Sequence, residues 1–170
     1  KDRPYIDIIS EAINNPIRLA IGWYAIAPAD QIVPTSFLFS YWFLGIFLMA
    51  SKRYGEIRFI GDSKISINYR ASLKYYTEEK LLTAMIVAII ALSYMLGAIS
   101  FKYSVDLILT LPFIIIWILW FLKLANEKNS IVKDPERIFE KPFFLLFTMI
   151  DLFLFVFFFY TNNQFLNQLK

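Results

Sequence analysis

Four residues near the start of the chain, Asp7, Glu11, Asn14 and Arg18, have the types and the spacing to build a polar site. At about 100° per residue they fall within an arc of about 60°, so one helix presents them as a single stripe. Arg18 carries the planar fork that matches phosphate oxygens, and the acids can orient basic groups. The stretch that holds them, DIISEAINNPIRLAIG, is otherwise largely apolar. Charge inside a bilayer is costly, so the stripe is expected to face a bundle interior or a watery cavity rather than lipid. The plainer alternative is salt bridging within the bundle, with the acids near the surface and Arg18 paired to a neighbouring helix. That would need only one acid and one base.

A second set is Lys52, Arg53 and Glu56, in the pattern Lys-Arg-x-x-Glu at the end of an apolar run. Lys52 and Glu56 stand one helical turn apart, with Arg53 beside them. Arg70 and Lys74 follow in the next linker and would extend a basic rim. Such a rim gathers a phosphorylated, water-soluble ligand, or binds anionic lipid head groups, or simply anchors a helix at the membrane surface. Asp134-Pro135-Glu136 could contact a metal or substrate, though such a trio more often caps a turn. Asp151 is a lone acid in an apolar helix, and its residue type assigns it no role. The chain has no Cys and no His, which excludes thiol nucleophiles, imidazole acid–base work and Cys or His metal ligands. It also lacks a Gly-rich phosphate loop, GxSxG, HExxH and a DDxxD-type motif.

The elements that must position these groups are helices. The chain is 58% hydrophobic, against the 45–50% usual for soluble domains, so the composition is that of a membrane protein. Hydropathy and punctuation place transmembrane helices at about residues 5–27, 36–56, 78–100, 105–125 and 142–160, with linkers at about 51–80 and 125–141. Pro16 is expected to kink the first near Asn14, and Pro112 to bend the fourth. Thr77 before Glu78 and Glu79 reads as a helix start. Residues 65–76 could form a short amphipathic surface helix. No signal peptide opens the sequence, and Lys1-Asp2-Arg3-Pro4 reads as the end of a loop from something longer.

Charge sets the orientation. The linker 51–80 holds seven basic residues, Lys52, Arg53, Arg58, Lys64, Arg70, Lys74 and Lys80, and the linker 125–141 holds four. The turn 28–35 holds none. Basic loops stay in the cytoplasm, which puts the N-terminal end inside and the C-terminal tail outside.

The run Pro4-Tyr5-Ile6-Asp7-Ile8-Ile9, then Ile17-Arg18-Leu19 and Gly22, Phe43-Leu44, Lys52-Arg53-Tyr54-Gly55-Glu56, and Arg70-Ala71-Ser72-Leu73-Lys74-Tyr75-Tyr76 resembles the UbiA prenyltransferase superfamily. Within it, the order resembles the decaprenyl-phosphate phosphoribosyltransferase-like branch, with its Asp-then-Arg helix, its K-R-x-x-E and its R-x-x-L-x-x-Y. The likeness spans most of residues 4–142.

That resemblance implies an all-α membrane protein whose five transmembrane helices are the C-terminal part of a nine-helix UbiA-type bundle, in a bacterial plasma membrane. It implies transfer of a 5-phosphoribosyl group from phosphoribosyl diphosphate to a polyprenyl phosphate within the lipid bilayer, with no nucleic acid involved. Arg18, Lys52, Arg53 and Arg70 would contact phosphate. Asp7, Glu11, Asn14 and Glu56 would line the polar cavity or orient the basic groups. Mg2+ is implied as cofactor, with ligands mainly upstream of these residues and none among them, so residues 1–170 alone are expected to be inactive. Lys52-Arg53-x-x-Glu56 stands where the wider superfamily carries its second aspartate-rich motif, a departure that argues against an ordinary prenyl diphosphate donor. An ordinary UbiA-type prenyltransferase with an aromatic or lipid acceptor remains an alternative, as does a non-catalytic transport or structural subunit.

Overall fold

A computed structural model describes residues 5–28, 30–60, 73, 75–127, 130–133 and 135–161. Among them every regular element is helical. The α-helices are α1 (Ile6–Ala12), α2 (Asn14–Ile26), α3 (Thr35–Ile60), α4 (Glu78–Lys102), α5 (Leu111–Ala125) and α6 (Pro142–Tyr160), with short 3-10 segments at Val105–Thr110, Ile131–Lys133 and Pro135–Glu140. Three stretches are long and apolar enough to cross a membrane: Glu78–Lys102, Val105–Ala125 and Pro142–Tyr160. Each is close to the roughly 20 residues that a hydrocarbon layer requires. The expectation of an all-α chain with membrane-spanning helices therefore holds. The chain divides into two compact units, Lys1–Leu96 and Gly97–Lys170.

In the first unit, the opening stretch is two helices, α1 and α2, rather than the single helix kinked near Asn14 that the sequence leads one to expect. Ile13 separates them with a right-handed backbone, φ −65° and ψ −19°. The cause is local. Pro16 has no N–H, so the Ala12 carbonyl one turn earlier loses its helical donor. The path continues nonetheless: the Ile13 N–H donates to Ile9 O at 3.2 Å and the Ile17 N–H to Ile13 O at 3.3 Å. α1 and α2 pack along α3. Gly45 permits the approach, because a Cβ there would run into Asn15 Nδ2 and stand 3.2 Å from Ala12 O. Ile8 and Ala12 from α1 and Phe47 and Ala50 from α3 are buried. Further along α3, the Ser51 hydroxyl donates to Phe47 O at 2.7 Å and contacts Met85 Sδ of α4 at 2.9 Å.

α4 starts as its sequence predicts. The Lys80 N–H donates to Thr77 Oγ1 at 3.3 Å, and Glu78 and Glu79 occupy the first turn, at the positive end of the helix dipole. The expected amphipathic helix over 65–76 lies mostly outside the described residues, as do Lys64, Arg70, Lys74 and Asp134.

In the second unit, Pro112 does not bend a continuous α-helix as expected. It lies in the first turn of α5, preceded by the 3-10 segment Val105–Thr110. The Ile108 carbonyl, which Pro112 cannot serve, instead takes the Leu111 N–H in an i to i+3 bond. α5 and α6 close on one another through Trp117, Trp120, Phe121, Phe144 and Phe147. The Trp117 indole N–H donates to the Thr148 hydroxyl at 2.9 Å. The end of α6 is tied to the 3-10 segment by Ser104, which donates to Phe158 O at 2.9 Å, and by Thr161, which donates to buried Asp106 at 2.8 Å. Asp151 lies on α6 with its Oδ1 buried and no hydrogen-bond partner among the described residues.

Candidate functional site

The site forms around Arg53, whose side chain is only 1% exposed. α3 fixes it in depth, and three acids from two elements converge on it. Glu56, one turn along α3, holds Nη1 with both carboxylate oxygens at 3.0 Å. Glu11 of α1 lies 2.5 Å from Nη2. Asp7, one turn earlier on α1, brings Oδ2 to 3.5 Å from Nε. A guanidinium has five N–H donors in one plane, so it can serve three carboxylates where an ammonium could not. A buried arginine without such partners would be strongly disfavoured.

Asp7 is held from its other side by Tyr76, the last residue of the Arg70-x-x-Leu73-x-x-Tyr76 pattern. The Tyr76 hydroxyl donates to Asp7 Oδ1 and accepts the Tyr5 N–H at 2.7 Å. The two tyrosine rings meet edge to face, 5.7 Å between centroids. These contacts hold Tyr5 at φ 67°, a left-handed conformation uncommon for a residue with a Cβ. Burial, and then the hydrogen bond to Asp7, raise the pKa of the Tyr76 hydroxyl above its ordinary value, so it remains a proton donor at neutral pH. Leu73 and Tyr76 are both buried, so the pattern anchors the chain just before α4 against α1.

Tyr76→Phe is expected to cost about 1–3 kcal/mol, since one buried hydroxyl satisfies both the Tyr5 N–H and a carboxylate oxygen. Thermal unfolding in detergent reads the loss. An unchanged midpoint would mean that neither contact contributes to the folded state.

The expected site residues divide into those gathered here and those not. Asp7, Glu11, Arg53 and Glu56 meet directly. Lys52 is half-buried, and its charge acts on Glu56. Asn14 and Arg18 stay exposed on α2, and Arg18 makes no ion pair among the described residues. The residue that packs over Gly45 is Asn15, not Asn14. Arg70 lies outside the described residues. Tyr76 is the participant to which residue type and spacing assigned no role. Its place in the Arg-x-x-Leu-x-x-Tyr pattern, just before a helix start, was the available signal.

Among the described residues, no group of three or more acidic side chains is placed to hold a metal ion. The three acids that come together converge on a guanidinium instead, so no step is assigned here to Mg2+. The arrangement can fix an arginine in position, leave one acid partly exposed beside it, and present neighbouring cations to an anion. No protein family, no curated protein and no solved structure matches the chain.

Proposed function

We propose that the chain forms part of an integral membrane transferase that moves a 5-phosphoribosyl group from phosphoribosyl diphosphate to a polyprenyl phosphate. In this reading α1 with α2, and α3, also cross the membrane, and the five spans complete a nine-helix UbiA-type bundle with its cavity open to the cytoplasm. The observation that carries it is convergence. Asp7, the Lys52-Arg53-x-x-Glu56 motif and Tyr76, which carry the family likeness from three separate stretches, meet around one guanidinium.

The chemistry asks little covalent work of the protein. An oxygen of the lipid phosphate attacks the anomeric carbon of the ribose, and the bond from that carbon to the diphosphate breaks. The electron pair leaves with diphosphate. A phosphate nucleophile is already ionised and needs no general base. The protein supplies position and stabilisation of the charge that grows on the leaving group. Among the described residues, Arg18 and Lys52 are accessible for that role. Arg53 is held in register by its acids, and Asp7 and Glu56 orient it.

The test is phosphoribosyl transfer by the whole membrane protein in lipid nanodiscs. Arg18→Ala and Lys52→Ala are each expected to cut the transfer rate about tenfold or more while leaving membrane insertion intact. Unchanged rates in both would remove these residues from the site.

A further inference from the structure

We propose that Asp151 is an intramembrane docking point for a transmembrane helix of another protein, one that carries an arginine or lysine at mid-span. α6 is long and apolar enough to cross a membrane, and Asp151 stands at the midpoint of its 19 residues. At 1.5 Å per residue it lies about 14 Å from either end, in the middle of the hydrocarbon. Ionisable residues are rarely left at that depth without a partner or a watery cavity. Among the described residues Asp151 has no partner, and its Oδ1 is enclosed without a hydrogen bond. Neither α6 nor residues 105–122, which pack against it, contain a Lys or Arg. No step of the proposed transfer uses Asp151.

Its position on α6 says where a partner would stand. Phe144, Asp151 and Phe158 are spaced by seven, so they share one face of the helix. Phe144 and Phe158 are buried there. Phe144 meets Trp117, Trp120 and Phe121 of α5, and the Phe158 carbonyl accepts the Ser104 hydroxyl. Asp151 between them is only half-buried, so the seam is open at its level. Ile150 and Leu152, on either side, are exposed, and only 11% of the spanning stretch is buried. A further helix therefore meets an apolar surface with one polar group in it. Charge complementarity names the chemistry of that helix. An unpaired carboxyl at this depth is tolerated only with a proton on it. A hydroxyl or amide would satisfy one oxygen and leave the charge, whereas a guanidinium or ammonium supplies the hydrogen bond and cancels the charge. The cation gains too, since alone it is as costly in the bilayer as the acid. A second copy meeting face to face would instead bring two acids together.

The probe is a synthetic single-span peptide of leucine and alanine with one central arginine. Energy transfer between dyes reads its association with the whole protein in phosphatidylcholine vesicles. The arginine peptide is expected to associate about tenfold more tightly than the same peptide with a central leucine. Asp151→Asn and Asp151→Leu should each abolish that preference. Both remove an unpaired carboxyl from an apolar seam, so neither is expected to unfold it, and unfolding in detergent checks this. Equal binding of the arginine and leucine peptides by the unsubstituted protein overturns the proposal, as does a preference that survives in both variants. Self-association that is lost in Asp151→Leu, with no peptide preference, would assign the face to a second copy and overturn it as well.

Discussion

Arg53→Gln is expected to destabilise the first unit by about 3–5 kcal/mol, the largest effect of any single substitution in this half of the chain. The reason is what the substitution leaves behind. Glu56 and Asp7 are shielded from water, and with Arg53 gone they lose the guanidinium that both of them face. An amide can donate two hydrogen bonds but cannot compensate three carboxylates. Arg53→Lys should recover only part of the loss, since an ammonium is a point charge without the planar fork. Adding Glu56→Gln to Arg53→Gln should recover more, because it removes the deepest of the three acids. Unfolding in detergent, followed through Trp42 fluorescence, measures all three. The Trp42 indole lies at the α1–α3 contact, where it donates to Ile9 O at 3.4 Å. Equal stability of Arg53→Gln and the unsubstituted protein would mean that the acids do not depend on the guanidinium.

The second large effect is steric. Gly45→Val is expected to cost about 2–3 kcal/mol by overpacking the helix contact. The nearest obstacle, the Asn15 amide, is the end of a side chain and can swing aside. The Ala12 carbonyl at 3.2 Å is backbone and cannot, short of shifting α1 away from α3. Such a shift would also draw Asp7 and Glu11 back from Arg53, so the cost is shared between packing and electrostatics. Gly22→Ala is the matched control. A Cβ there meets nothing within 4 Å, and alanine is the better helix former. Gly22→Ala should therefore be neutral or slightly stabilising in the same unfolding assay. If Gly45→Val behaved as Gly22→Ala does, α1 and α3 would not be in close contact.

Much of this was legible in the sequence, and for identifiable reasons. The long apolar stretches gave the α4, α5 and α6 spans because hydrophobicity and length alone decide them. Thr77-Glu78-Glu79 marked the start of α4 because capping is a local property. Pro16 marked the break near Ile13 because a missing N–H acts one turn upstream. Pro112 was misplaced for a related reason. Whether proline bends a helix or begins one depends on the hydrogen bonds of the preceding turn, and Ile108 settles those by a 3-10 bond.

The site was half legible. Periodicity put Asp7, Glu11, Asn14 and Arg18 on one stripe, but a stripe does not say how far along it a partner reaches. α3 supplies its arginine only at the α1 end, so Asp7 and Glu11 are engaged and Asn14 and Arg18 are not. Nor does spacing reveal that three acids would share Arg53, which depends on the depth at which Gly45 lets α1 settle.

The most direct measurement is donor choice by the whole protein in nanodiscs containing a polyprenyl phosphate. Phosphoribosyl diphosphate and a prenyl diphosphate are offered separately, and lipid product and released diphosphate are counted. The proposed function predicts one diphosphate released for each phosphoribosylated lipid formed, and no use of the prenyl diphosphate. Turnover with the prenyl diphosphate alone, or with neither donor, would contradict it.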